Sequence, residues 1–171
     1  PQTFFPALAA TGADEAVELF KENMKGEHAA EAVAALAGTS NAGAIEPLLG
    51  AAASDKSLIP GLLGLIEKFK GAADRVADYE KALEAAGDDQ SLKLQVLDKL
   101  AGTKLPEAFK KVAGFIDDKE IAKPVADILG NVAGDAAGLV DYDTFKGIVG
   151  KMNAVNAAAR AQGDADAGYA I

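Results

Sequence analysis

The feature that most constrains this chain is a recurrence. Leu36-Ala37-Gly38-Thr39 returns, letter for letter, as Leu100-Ala101-Gly102-Thr103, an offset of 64. At that offset Ala44 falls on Ala108, Ile45 on Phe109, Leu48 on Val112, Gly50 on Gly114 and Pro60 on Pro124. With the offset shortened by one, the match continues: Gly71 meets Gly134, Asp78-Tyr79 meets Asp141-Tyr142, and Gly87 meets Gly150. A chance tetrapeptide in a chain with 38 alanines would not hold its register over such a stretch. The segments at about 28–87 and about 92–150 read as a duplication.

A finer period lies inside the duplication. Four apolar segments end at Gly38, Gly71, Gly102 and Gly134, at successive offsets of 33, 31 and 32. Three begin at polar pairs, Ser54-Asp55, Asp88-Asp89 and Asp117-Asp118. An acidic or hydroxyl side chain at a helix start accepts from free N–H groups, and a glycine just past the end can take the left-handed conformation. Second helices are expected between these at about 42–53, 73–86, 105–116 and 141–161, with an unpaired first helix at about 13–25. Within 105–116, Phe109, Val112, Ala113 and Ile116 recur at helical spacing, and Leu92, Val96, Leu97 and Leu100 form a similar stripe. Pro47, Pro60 and Pro124 imply kinks or late helix starts.

Two helices in each such interval is the mark of a helical array. The segments "ALAG", "KFKG", "DKLAG" and "NVAG", with the turns "SDKSL", "GDDQSL" and "DDKEI", resemble HEAT-like repeats of the type named after phycobilisome lyases. The resemblance covers roughly positions 13–150. The Arg often found after the Asp turn in such repeats is absent, and the units vary slightly in length. The resemblance implies an all-α fold, a right-handed α/α solenoid of about four helix-pair repeats. The alternative is an irregular α-bundle built from a duplicated four-helix unit. Either way the expectation is a single helical-repeat domain over 1–162 with an extended tail at 163–171. The family also includes tetrapyrrole-attaching factors and subunits of photosynthetic complexes, which makes an accessory photosynthetic role and a plastid location conceivable. A chain opening Pro1-Gln2 without Met is compatible with a removed targeting leader.

Composition narrows the function classes. Half the residues are apolar, dominated by Ala, Leu, Val and Ile, with ten aromatics and no Trp. Small side chains favour helix and let helices approach closely. Seventeen basic against twenty-six acidic residues give a net charge of −9, which repels phosphate backbones and argues against a nucleic-acid partner. No apolar run reaches the length of a membrane span. With no Cys, thiolate nucleophiles and Cys-ligated metal sites are excluded; with a single His, His28, and no "GxSxG" elbow, neither an imidazole metal site nor a Ser-His-Asp triad is expected.

The remaining candidates for chemistry fail on spacing. The Asp88-Asp89 and Asp117-Asp118 pairs are explained by capping, and neighbours in sequence do not face each other across a substrate. "DYDTFKG" offers Asp141 and Asp143 at EF-hand spacing, but Phe145 and Met152 stand where further calcium ligands belong. "GIVGKMN" lacks the spacing and hydroxyl of a phosphate loop. The expectation is therefore a non-catalytic protein without a cofactor: a small acidic array that docks on or stabilises a larger protein assembly. The alternative is a carrier of a flat apolar ligand, pigment or lipid, lying in grooves lined by Gly61, Gly64, Gly130, Ala133 and Gly134. Candidate partner contacts are Phe4, Phe5, Tyr79, Tyr142 and Tyr169, of which Tyr79 and Tyr142 occupy equivalent positions of the duplication.

Overall fold

The computed structural model describes residues 4–136, 138 and 140–163, and among them the structure is all-helical, with ten α-helices and no strand. The chain divides into two compact units, Pro1–Gly87 and Asp88–Ile171.

The first unit holds α1 (Phe4–Ala9), α2 (Asp14–Asn23), α3 (Ala29–Gly38), α4 (Ile45–Ala52), α5 (Ile59–Phe69) and α6 (Ala72–Ala86). Short 3-10 turns at Ala42–Ala44 and Lys56–Leu58 lead into α4 and α5. Helices α1, α2 and α3 pack on one another, α3 meets α4, and α4 packs on both α5 and α6. Each contributes apolar side chains to the interior, and Phe20, Leu36, Leu48, Ile59, Leu62, Ile66 and Tyr79 are essentially inaccessible to water.

The second unit holds α7 (Gln90–Ala101), α8 (Pro106–Ala113), α9 (Ala122–Ala136) and α10 (Tyr142–Ala161). Here α7 packs on α8 and α9, α8 on α9, and α9 on α10. Leu97, Leu100, Val112, Val125, Leu129 and Met152 fill the centre. In both units the main packing partners of a helix are thus the next one or two along the chain.

Helix starts follow the acidic pairs. Asp55 accepts from the Ser57 backbone N–H at 3.1 Å, Asp89 from Leu92 at 3.0 Å, and Asp118 from Glu120 at 3.2 Å. Pro47, Pro60 and Pro124 all fall in the first turn of α4, α5 and α9, where the missing N–H has no intrahelical acceptor to lose. They mark late starts, and no kink is needed. The 105–116 segment is shorter than expected, since α8 stops at Ala113 and continues as turns.

The glycines behave differently from expectation. None of Gly38, Gly71, Gly102 and Gly134 has a positive φ. Gly38 and Gly134 lie inside helices, Gly102 is still helical with φ −62°, and Gly71 is the extended residue before α6. Helices α3 and α5 are instead closed by extended residues, Thr39 and Lys70, whose N–H groups reach back to Leu36 and Ile66 at 3.2 and 3.0 Å. Past α7 the left-handed residue is Lys104, with φ 58°. The glycines with positive φ are others: Gly12 after α1, Gly87 after α6 and Gly163 after α10, at 63°, 55° and 98°.

Helix positions keep the expected offset in two pairs and depart from it in two, since α4 begins at 45 and α8 at 106, an offset of 61. Helix α5 begins at 59 and α9 at 122, an offset of 63, and α3 ends at 38 and α7 at 101, again 63. Helices α6 and α10, by contrast, begin at 72 and 142, an offset of 70. An equivalent sequence position therefore lies on a different part of the helix.

Side-chain ties between helices repeat the sequence period. Thr39 Oγ1 donates to the Ala9 carbonyl at 3.1 Å and Asn41 Nδ2 to the Gly12 carbonyl at 2.9 Å, separations of 30 and 29 residues. Lys56 Nζ donates to Ala86 and Gln90 Nε2 to Glu120, both across 30 residues. Lys104 meets Asp135 at 2.8 Å, one period further on, and Lys151 meets Asp117 at 2.5 Å, 34 residues back. Each tie lies within one unit.

Two substitutions separate the forces at work. Leu100→Ala, at a fully buried position, is expected to cost about 2–5 kcal/mol through lost burial and the cavity left behind. Asp89→Ala removes only the α7 cap and is expected to cost about 1 kcal/mol. Urea unfolding of both variants measures the two losses, and equal losses would contradict this division.

Candidate functional site

The five aromatic residues singled out by sequence have different fates. Phe4 is 68% exposed on α1, whereas Phe5 turns inward and meets the Phe20 ring edge-on at 5.3 Å. Helix α1 is thus the apolar flap that covers the first unit, with one ring left outside. Tyr142, the first residue of α10, is 73% exposed. Tyr79 is 1% exposed in the middle of α6 and is closed to any partner. The expected equivalence of Tyr79 and Tyr142 therefore fails, because α10 begins seven positions later than the duplication requires. Tyr169 lies outside the described residues.

Around Tyr79 the α5–α6 corner gathers charge for a structural purpose. Arg75, in the first turn of α6, donates through Nε to the Lys70 carbonyl at 2.8 Å and through Nη2 to the Glu67 carbonyl at 2.5 Å. These are carbonyls that the end of α5 leaves open. Beside them Asp78, only 8% exposed, has its Oδ2 3.4 Å from Lys70 Nζ, yet that oxygen accepts no hydrogen bond. The pair is held by charge at ion-pair range, and the carboxylate is too enclosed for a substrate to reach. Burial pushes the Tyr79 phenol above its ordinary value of 10.0; the Glu67 carboxylate adds to the rise and the Arg75 guanidinium opposes it.

Asp141 illustrates why the calcium-like spacing is spent on structure. Its carboxylate caps α10 by accepting from the Thr144 N–H at 2.9 Å. That bond, followed by a side-chain bond from Thr144, holds its carboxyl below the usual range. No group of three or more potential metal ligands gathers among the described residues. His28 sits at the start of α3, half-exposed, and makes no side-chain cap. No helix among the described residues is long and apolar enough to cross a membrane.

Concave surface is concentrated elsewhere than sequence indicated. Gly61, Gly64, Gly130 and Gly134 are all exposed, a Cβ at Gly61, Gly64 or Gly134 would meet nothing within 4 Å, and Ala133 is buried. A hollow of about 910 Å³ lies in the first unit between the end of α2, the outer face of α3, and α4 with the turn after it. Met24, Val33, Ala34, Pro47 and Leu58 supply its apolar lining, and Lys21 and Lys25 stand on its rim. Smaller hollows of about 460 Å³ and 330 Å³ lie between α4 and α6 and between α8 and α10. Sequence reading missed the large groove because its lining comes from three separate elements. The hint was the run of small residues on α3, Ala30, Ala34 and Ala37, at positions a core helix would not need to keep small.

No protein-family model matches the chain, and none of the curated proteins or solved structures compared with it matches either.

The enclosure of Tyr79 has a measurable consequence. In a Tyr142→Phe/Tyr169→Phe background Tyr79 is the sole tyrosine. The unfolded chain ionises near the ordinary phenol value of about 10, and the folded chain only above it. Stability conferred by keeping the phenol neutral is thus full below about pH 10 and falls as pH rises through the folded value. Spectrophotometric titration is expected to show phenolate appearing above the ordinary value, together with loss of helical circular dichroism. A midpoint at the free-phenol value with the fold intact would contradict the buried placement.

Proposed function

We propose that this chain is a non-catalytic interaction protein, a short HEAT-like array that docks on or stabilises a larger protein assembly. Within each unit the helices form a right-handed stack of helix pairs, each pair covering the apolar stripe its predecessor cannot hide. The observation that carries the array reading is the set of side-chain ties spanning 27–34 residues, about one repeat each, on both sides of the duplication.

Two features support docking. Phe4 and Tyr142 are large rings presented to solvent, at 68% and 73% exposure, in a chain with only ten aromatics. Exposed aromatics on rigid helices are the kind of residue that anchors protein interfaces. The net charge of −9 favours a basic partner and gives the association a strong salt dependence.

The test is native-mass analysis of gentle, low-salt extracts from the source. The protein is expected to migrate with a larger assembly and to leave it as salt is raised. Phe4→Asp and Tyr142→Asp, introduced together, are expected to weaken co-migration at least tenfold while leaving the melting temperature within a few degrees. A wild-type chain that runs only as a free monomer at low salt would overturn this function.

A further inference from the structure

We propose that the α2–α3–α4 groove is a binding site for a free single-chain carboxylate of the fatty-acid class. The alkyl chain would lie along the apolar lining, with its carboxylate against Lys25 and Lys21. This reading goes beyond docking and does not depend on it.

The groove has the dimensions and lining of a small-molecule site. Its volume of about 910 Å³ lies within the span of roughly 300–1,000 Å³ common for such sites. Ala30, Val33, Ala34 and Ala37 form the α3 wall, facing Pro47 and Ala51 from α4. None of these six can hydrogen-bond through its side chain, so the wall offers an alkyl chain nothing but apolar contact.

Helix stacking alone does not account for the small residues. At the offset that superposes the two copies of the repeated tetrapeptide, Ala30, Ala34, Pro47 and Ala51 correspond to Leu94, Asp98, Lys111 and Phe115. Leu94 and Phe115 are half-buried there. At these sequence positions the second copy thus carries bulk and charge where the first is small, Phe115 lying in the turn past α8.

The rim selects the charge of the occupant. Lys21 is half-exposed and bonds Glu18 at 2.8 Å, whereas Lys25, on the turn after α2, has no ion-pair partner among the described residues. The acidic group of the lining, Asp55, is occupied: its Oδ1 accepts from the Ser57 N–H at 3.1 Å and from the Ser57 hydroxyl at 2.6 Å. An anion therefore meets the Lys25 ammonium, which no described carboxylate pairs, and the Lys21 ammonium shared with Glu18, while Asp55 stays charged with one oxygen held by Ser57. A basic peptide would bring cations against Lys21 and Lys25. An acidic peptide, carrying several charges, would face the segment 1–87, whose 7 basic and 13 acidic side chains leave 7 − 13 = −6. One carboxylate on an apolar chain avoids both conflicts.

Calorimetric titration of the full chain with dodecanoate, below its micelle-forming concentration, tests the site. One saturable site is expected, with dodecyltrimethylammonium failing to compete. Lys25→Glu, on an exposed turn, is expected to weaken dodecanoate binding about tenfold. Ala34→Trp, which places an indole in the trough, is expected to abolish it with the helical spectrum retained; should that variant not fold, Lys25→Glu still decides. Lack of saturable binding, equal binding of the cationic amphiphile, or unchanged binding by folded Ala34→Trp would each overturn the proposal. So would uptake by phosphatidylglycerol vesicles without binding of free dodecanoate, which would point to a membrane surface instead.

Discussion

Short helices have many ends, and the ends govern how this chain is built. Every α-helix leaves about four N–H groups and four carbonyls without intrahelical partners. Six of the ten helices have only 6–11 residues, so a large share of their backbone lies in terminal turns. At the starts, Asp89 and Asp141 accept from the backbone of their own first turns, and Asp55 does the same for the 3-10 turn that leads into α5. At the ends, cationic side chains supply donors: Arg75 closes α5, and Lys56 reaches Ala86 at the end of α6. Lys56 must cross from one helix pair to the next to do so. Hydrogen-bond accounting at the helix ends is thereby tied to contacts between residues about 30 apart in sequence.

This explains which parts of the fold were legible in sequence. Apolar periodicity located nine of the ten helices because burial demands it, and the acidic pairs located starts because carboxylates near N–H groups are stabilising. The glycines misled. They stand near the ends of α3, α5 and α7, but α3 and α5 are closed by extended residues, Thr39 and Lys70. Thr39 and Thr103, the polar last letters of the repeated tetrapeptide, are both buried, with hydroxyls donating to the Ala9 and Leu100 carbonyls. A buried hydroxyl without a partner would be costly; Thr103 finds its carbonyl three residues back, whereas Thr39 depends on one 30 residues away that no local pattern reveals. Helix α1 was unforeseen as a helix because six residues are too few for a periodic signal.

The site residues were less legible than the fold, for a related reason. Repeat logic assigns equivalent residues to equivalent faces, and that holds only while the helices keep step. Between α9 and α10 the second unit is out of step by seven positions, so Asp141-Tyr142 begins a helix while Asp78-Tyr79 sits inside one. The same two letters perform opposite tasks: Asp141 is a solvated cap and Tyr142 an exposed ring, whereas Asp78 and Tyr79 are enclosed.

What the duplication preserves and what it abandons bears on function. Leu36 and Leu100, the first letters of the repeated tetrapeptide, are both fully buried, as stacking requires of each copy. At other aligned positions the copies diverge, with Ala34 on α3 against Asp98 on α7, and Ala51 on α4 against Phe115 in the turn past α8. Positions that only needed to be polar would have drifted toward charged residues in both copies. An exposed face that stays small and apolar in one copy alone, in a chain of net charge −9, lowers water affinity locally without helping the core. A groove of that character gains its free energy from whatever enters it, and the ammonium groups at its rim make a single anionic head the complement that the rest of this acidic surface cannot offer.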